Sequence, residues 1–231
     1  MNAKHTALIV GAGSGLSASI ARLLASRGYA VSLAARSPGK LETLATGIGA
    51  SVHCCDASDP QQVAALFESV CADTGVPDVV VYNASGRLRG PIAALDPDAV
   101  QDAIVVSAYG GFLVGQRAAQ LMLARGSGTI LFTGASASVK GYAQSAPFAM
   151  GKFALRGLAQ SMARELAPRG IHVAHVVIDG AIRSAARPDP QDAPDSTLDP
   201  DAIAETYCHL IDQKRSAWAW EVELRPWVER F

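Results

Sequence analysis

Short apolar runs alternate with longer helix-patterned stretches from one end of this 231-residue chain to the other. That rhythm constrains the fold more than any other feature. A strand followed by a crossover helix rejoins its neighbour in parallel, with the helix packed on one face of the sheet. Strand-like runs fall at 6–10, 30–35, 51–55, 78–82, 129–133, 171–178 and 220–224. Helical periodicity predicts helices over 16–27, 40–46, 60–72, 98–124, 146–166 and 200–212. The strands are continuously apolar, which fits burial on both faces. The expected architecture is α/β: a single doubly wound domain over 1–231, with a seven-stranded parallel sheet and helices on both faces.

Composition narrows the function classes. Hydrophobic residues make up 49% and charged residues 18%, enough for a large core and too few charges for disorder. A net charge of −1 argues against a general nucleic-acid or anionic-membrane binder. No apolar run approaches the ~20 residues needed to cross a bilayer. Cys54, Cys55, Cys71 and Cys208 lack metal-like spacing, and the chain reaches its first strand without a charged-then-apolar leader. Reduced thiols in a cytoplasmic protein are expected. His172 and His175 lie three apart on a strand and face opposite sides, so no metal site is expected.

One stretch breaks the rhythm. Residues 183–199 carry Pro188, Pro190, Pro194 and Asp189, Asp192, Asp195 and Asp199. Their length and composition predict a lid-like loop over a site, with a disordered surface insertion as the alternative.

The turn after the first strand is Gly11-Ala12-Gly13-Ser14-Gly15, followed by Leu16 at the helix start. Backbone N–H groups there can approach a pyrophosphate, and the helix N-terminus favours negative charge. Gly11 permits the tight turn, and Gly13 and Gly15 avoid Cβ clashes with ligand and neighbouring strand. The second strand ends at Arg36, where an NAD site usually carries an acid for the ribose hydroxyl. An arginine there pairs with a 2′-phosphate, so NADP(H) is favoured over NAD(H).

These motifs, with Phe148-Ala-Met-Gly-Lys152 opening a late helix, resemble the short-chain dehydrogenase/reductase family over essentially the whole chain. The resemblance implies a Rossmann-type fold and an oxidoreductase acting on a small carbonyl or alcohol. It implies that Asp56 contacts the adenine and that Asn83 and Ala84 belong to the family's Asn-Asn-Ala-Gly segment. Asp179-Gly180 replaces the family's Pro-Gly beside the nicotinamide, and Ile182 and Ser184 follow where carboxamide contacts lie. Ser17 stands where the family's last turn glycine would be.

The family's catalytic motif is Tyr-x-x-x-Lys, with a serine and an asparagine. Lys152 is kept and would hold the nicotinamide ribose. Phe148 occupies the tyrosine position and has no proton to give. The serine position falls on Ala135, with Ser136 next to it as a substitute. The asparagine position falls on Ser107. An altered proton-transfer site follows, with Lys152 and an ordered water as proton source and Tyr142 as a further candidate acid. The alternatives are a non-catalytic dinucleotide-binding sensor or regulator, and a structural subunit paired with an active homologue. Residues 86–92 and the lid would line the substrate pocket, and neither carries a readable code. The family's subunit contacts, together with Trp218, Trp220, Pro226, Trp227 and Phe231, suggest a homodimer or homotetramer.

Overall fold

A computed structural model describes residues 5–229. Seven strands form one fully parallel sheet: β1 (Thr6–Val10), β2 (Ala30–Ala35), β3 (Ser51–Cys54), β4 (Val79–Tyr82), β5 (Gly128–Thr133), β6 (Ile171–Ile178) and β7 (Glu221–Leu224). Their spatial order is β3-β2-β1-β4-β5-β6-β7. The chain therefore reverses its direction of growth between β1 and β4. In such sheets the ligand crevice opens at the carboxyl ends of those two strands.

The connecting helices are α1 (Leu16–Ser26), α2 (Glu42–Ile48), α3 (Pro60–Thr74), α4 (Pro97–Ile104), α5 (Gly110–Arg125), α6 (Ala146–Leu166) and α7 (Pro200–Asp212). Two apolar layers sandwich the sheet. One joins Ile20 and Leu24 of α1 with Ile203 and Tyr207 of α7. The other joins Phe67 of α3, Val114 and Met122 of α5, and Leu155 of α6. Three helices start with the same device. Asp59, Asp96 and Asp199 each accept a hydrogen bond from a first-turn backbone N–H, and proline follows each of them. The aspartate satisfies an orphan donor, and proline has no N–H to leave unpaired there.

The predicted helix over 98–124 is interrupted. Between α4 and α5, residues Val105–Tyr109 form a wider π-helical turn. The Tyr82 hydroxyl donates to the Val106 carbonyl, and a Cβ at Gly110 would lie 2.5 Å from that hydroxyl. The helix bulges around the ring end that β4 pushes into it.

Candidate active site

The glycine turn leaves β1 at the switch point. Gly11 has φ +80°, and a Cβ there would lie 2.3 Å from the Ala84 backbone nitrogen. The close approach to the loop after β4 thus belongs, within this turn, to Gly11 alone. At Gly13 and Gly15 an added Cβ would meet no atom within 4 Å, which corrects the expected contact with a neighbouring strand there. Both positions face open crevice. Asn83, just past β4, donates to the Ser17 hydroxyl at 2.7 Å, and that hydroxyl donates to the Gly11 carbonyl at 3.3 Å. The serine in place of a glycine therefore locks the turn to the loop after β4, a bond the sequence did not announce.

Two cavities meet at Gly13, Asn83 and Ser85. The smaller, about 450 Å³, is lined by Gly11, Ser14, Arg36, Asp56 and Ala84, and also by Ser37 and Lys40. The Asp56 carboxylate accepts from the Ser58 hydroxyl at 2.6 Å and backbone at 2.9 Å, which holds its pKa below the ordinary value. Lys40 adds a second cation beside Arg36 that sequence reasoning missed; it becomes visible only when the turn after β2 folds back.

The larger cavity, about 700 Å³, is lined by Gly15, Leu16, Ser136, Tyr142, Phe148, Lys152, Gly180 and Ile182 among others. Phe148 and Lys152 lie one turn apart on α6, so both point the same way. The Lys152 ammonium is buried, donates to the Thr133 carbonyl at 2.7 Å and lies 5.9 Å from the Phe148 ring centre. Burial, with the Arg87 charge nearby, pushes its pKa down to about 7.

Ser136 faces the cavity, close to Asp179. Asp179 is buried and accepts from Lys140 at 2.8 Å. Burial acts to raise its pKa, but Lys140 and the nearby Ser136 outweigh that and hold it below the usual carboxylate value. The aspartate before Gly180 thus lies beside the candidate serine, paired with Lys140. Ser107 is not brought into the site. It is fully buried, with its hydroxyl accepting from the Gly86 backbone at 2.9 Å. There it holds the loop after β4.

The loop at 183–199 is tied down. Ile182 bridges Leu198, and Arg183 pairs with both Asp189 and Asp199. Arg187 reaches the larger cavity. Of the C-terminal aromatics, Trp218 stacks on His172 with ring centres 4.8 Å apart, and Arg156 lies over Trp220. Trp227 is 79% exposed, and Phe231 lies outside the described residues. His172 and His175 do not converge, and no metal-binding group of His, Cys, Asp or Glu occurs among the described residues. No described helix is long and apolar enough to cross a membrane.

The crevice suits a dinucleotide. A cradle open to ligand at Gly13 and Gly15, a helix N-terminus behind it, and cavities on both sides match an extended molecule with a central pyrophosphate. A family model for short chain dehydrogenases matches residues 5–192. The chain belongs to the short-chain dehydrogenase/reductase family. It is an oxidoreductase of that type, built for a nicotinamide dinucleotide. A short-chain dehydrogenase structure from Rhodopseudomonas palustris is 35% identical, with a TM-score of 0.84, covering 96% of this chain and 99% of that one. A metagenomic short-chain oxidoreductase in complex with NADP is 31% identical, with a TM-score of 0.84, covering 96% and 97%. The (+)-borneol dehydrogenase 1 of Salvia officinalis is 32% identical over 189 residues, covering 79% of this chain and 72% of the relative.

Proposed function

We propose that this protein is an NADP(H)-preferring reductase or dehydrogenase of a small carbonyl or alcohol, in which Lys152 replaces the usual phenol as the proton-handling group. The observation that carries this reading is a buried lysine on an open cavity, with a pKa near 7 and no hydroxyl at Phe148. A group titrating near the working pH can both give and take a proton.

When bound, the dinucleotide supplies or receives the hydride. The chain does the rest. Gly13 to Leu16 present backbone N–H groups and a helix N-terminus to the pyrophosphate. Arg36, with Lys40 beside it, meets the 2′-phosphate, and Asp56 faces the adenine end. Ser136, beside Asp179, hydrogen-bonds the substrate oxygen. Lys152 holds the nicotinamide ribose and exchanges a proton with that oxygen through water. Phe148 closes the pocket wall. A lysine poised in this way favours turnover over a binding-only sensor.

NADPH fluorescence titration tests the cofactor half. Saturable binding, about tenfold to a hundredfold tighter than for NADH and reduced to near parity by Arg36→Ala, is expected. Equal affinities in the unsubstituted protein would remove the NADP(H) preference.

A homodimer or homotetramer completes the reading. Tyr109 and Phe112 stack with ring centres 6.0 Å apart and are exposed, as are Met150 and Phe153 on α6. Such exposed apolar groups favour burial against a second copy.

A further inference from the structure

Every charged side chain on the larger cavity is a cation. Arg87, Arg89, Lys152 and Arg187 line it, and no aspartate or glutamate does among the described residues. The whole chain carries −1, so this is local concentration and not composition. The acids nearby are engaged elsewhere: Asp179 with Lys140, and Asp189 and Asp199 with Arg183.

The dinucleotide accounts for only part of this charge. Its phosphates are met by the glycine turn and by Arg36 and Lys40 on the other cavity, which the loop after β4 reaches only as far as Ser85. Arg87 and Arg89 lie beyond, facing Tyr142, Ser145 and Phe148. The loop that carries them is pinned at both ends. Gly86 donates to Ser107 at 2.9 Å and packs so tightly that a Cβ there would lie 2.5 Å from the Ala103 Cα. Gly90 donates to the Gln144 carbonyl at 3.1 Å. The Arg87 guanidinium sits 4.8 Å from the Phe148 ring centre, beside the proton-handling lysine. Partial burial, then the like charges of Arg89 and Arg187, depress the Arg87 pKa. Cations crowded without a counter-ion are relieved by an anion that enters between them.

We propose that the substrate is itself an anion: a carbonyl or alcohol bearing a carboxylate or phosphate, gripped by Arg87 and Arg89, with Arg187 closing over it from the 183–199 loop. Planar guanidinium forks match either oxyanion in two-point contact. The inference rests on the oxidoreductase reading for what happens to the carbonyl, but not for the anion site.

Calorimetric titration of the NADP-saturated protein tests it. The probes are levulinate, benzoate and glycerol phosphate against levulinamide, benzamide and glycerol. At least one oxyanion is expected to bind about tenfold or more tightly than its neutral partner. Arg87→Ala and Arg89→Ala abolish that advantage, whereas Arg169→Ala, after α6 at the far end of the sheet, preserves it. Whether the carboxylate or the phosphate arm responds names the group. No oxyanion binding, no advantage over the neutral probes, or an advantage intact in both arginine variants overturns the proposal. NADPH titration of the same samples separates the two readings. Loss of dinucleotide binding sinks the oxidoreductase reading, and the oxyanion titration repeated without dinucleotide then tests the arginines by themselves.

Discussion

Burial and chemistry ask opposite things of Lys152. An ammonium under α6 loses hydration that one carbonyl bond does not restore, so the group holds its proton weakly. The sign of the consequence is fixed. Carbonyl reduction needs the protonated form, so its turnover should fall as pH rises through about 7; alcohol oxidation needs the neutral form and should rise through the same value. Steady-state rates in both directions across neutral pH check this, with Lys152→Met as the control. A profile without an inflection near 7, or one unchanged in the variant, refutes the lysine as proton carrier. One helical turn away, Phe148→Tyr restores a phenol beside that lysine. Reduction should then increase, by at most about 10²–10⁴-fold. No gain with a substrate shown to bind next to the nicotinamide sinks the idea that the pocket lacks only a hydroxyl.

At the scale of elements, the glycine turn separates folding from binding. Gly11→Ala forces a Cβ into the Ala84 backbone at a left-handed φ, and should lower the melting temperature as well as dinucleotide affinity. Gly13→Ala meets open space in the protein, so it should leave the melt unchanged and weaken NADPH alone. Equal melting losses in both would show that the turn is purely structural. Why the turn was readable is instructive. It is local: the first strand, the glycines and the helix start lie within residues 6–16. The π-helical turn at Val105–Tyr109 was not readable, because its cause is Tyr82 arriving from another strand. The same holds for the Ser17–Asn83 bond and for Arg87, Arg89 and Arg187, which become a site only when two loops converge. Sequence displayed the cofactor end, whose groups sit inside short motifs. It hid the substrate end, whose groups are adjacent only in space.

Across the whole molecule, a partly buried relay ties the sheet to the helix behind the site. The His175 ring bonds Ser138 at 3.3 Å and Glu221 at 3.1 Å, and Glu221 takes two bonds from Arg156, at 2.6 and 2.7 Å. Serine, histidine and acid in line resemble a hydrolytic triad, but Ser138 is fully buried and has no access to substrate. The relay instead joins the turn after β5, β6, β7 and α6. Gly134 makes room for it, since a Cβ there would lie 2.4 Å from the ring. Burial, against the pull of Glu221, lowers the His175 pKa from 6.5 to about 4. The unfolded chain therefore takes up a proton below 6.5 that the folded chain refuses until about 4. Stability from this group is full above that window and falls as pH drops through it, at no more than about 1.4 kcal/mol per pH unit. Chemical denaturation at a series of pH values, compared with His175→Gln, isolates the effect, because Glu221 and Arg156 remain in both proteins. The stability curve of the unsubstituted protein should drop more steeply than that of the variant between pH 6.5 and 4. Parallel curves would mean that His175 is charged in the fold, and that the relay is an ion pair instead of a neutral hydrogen-bond chain.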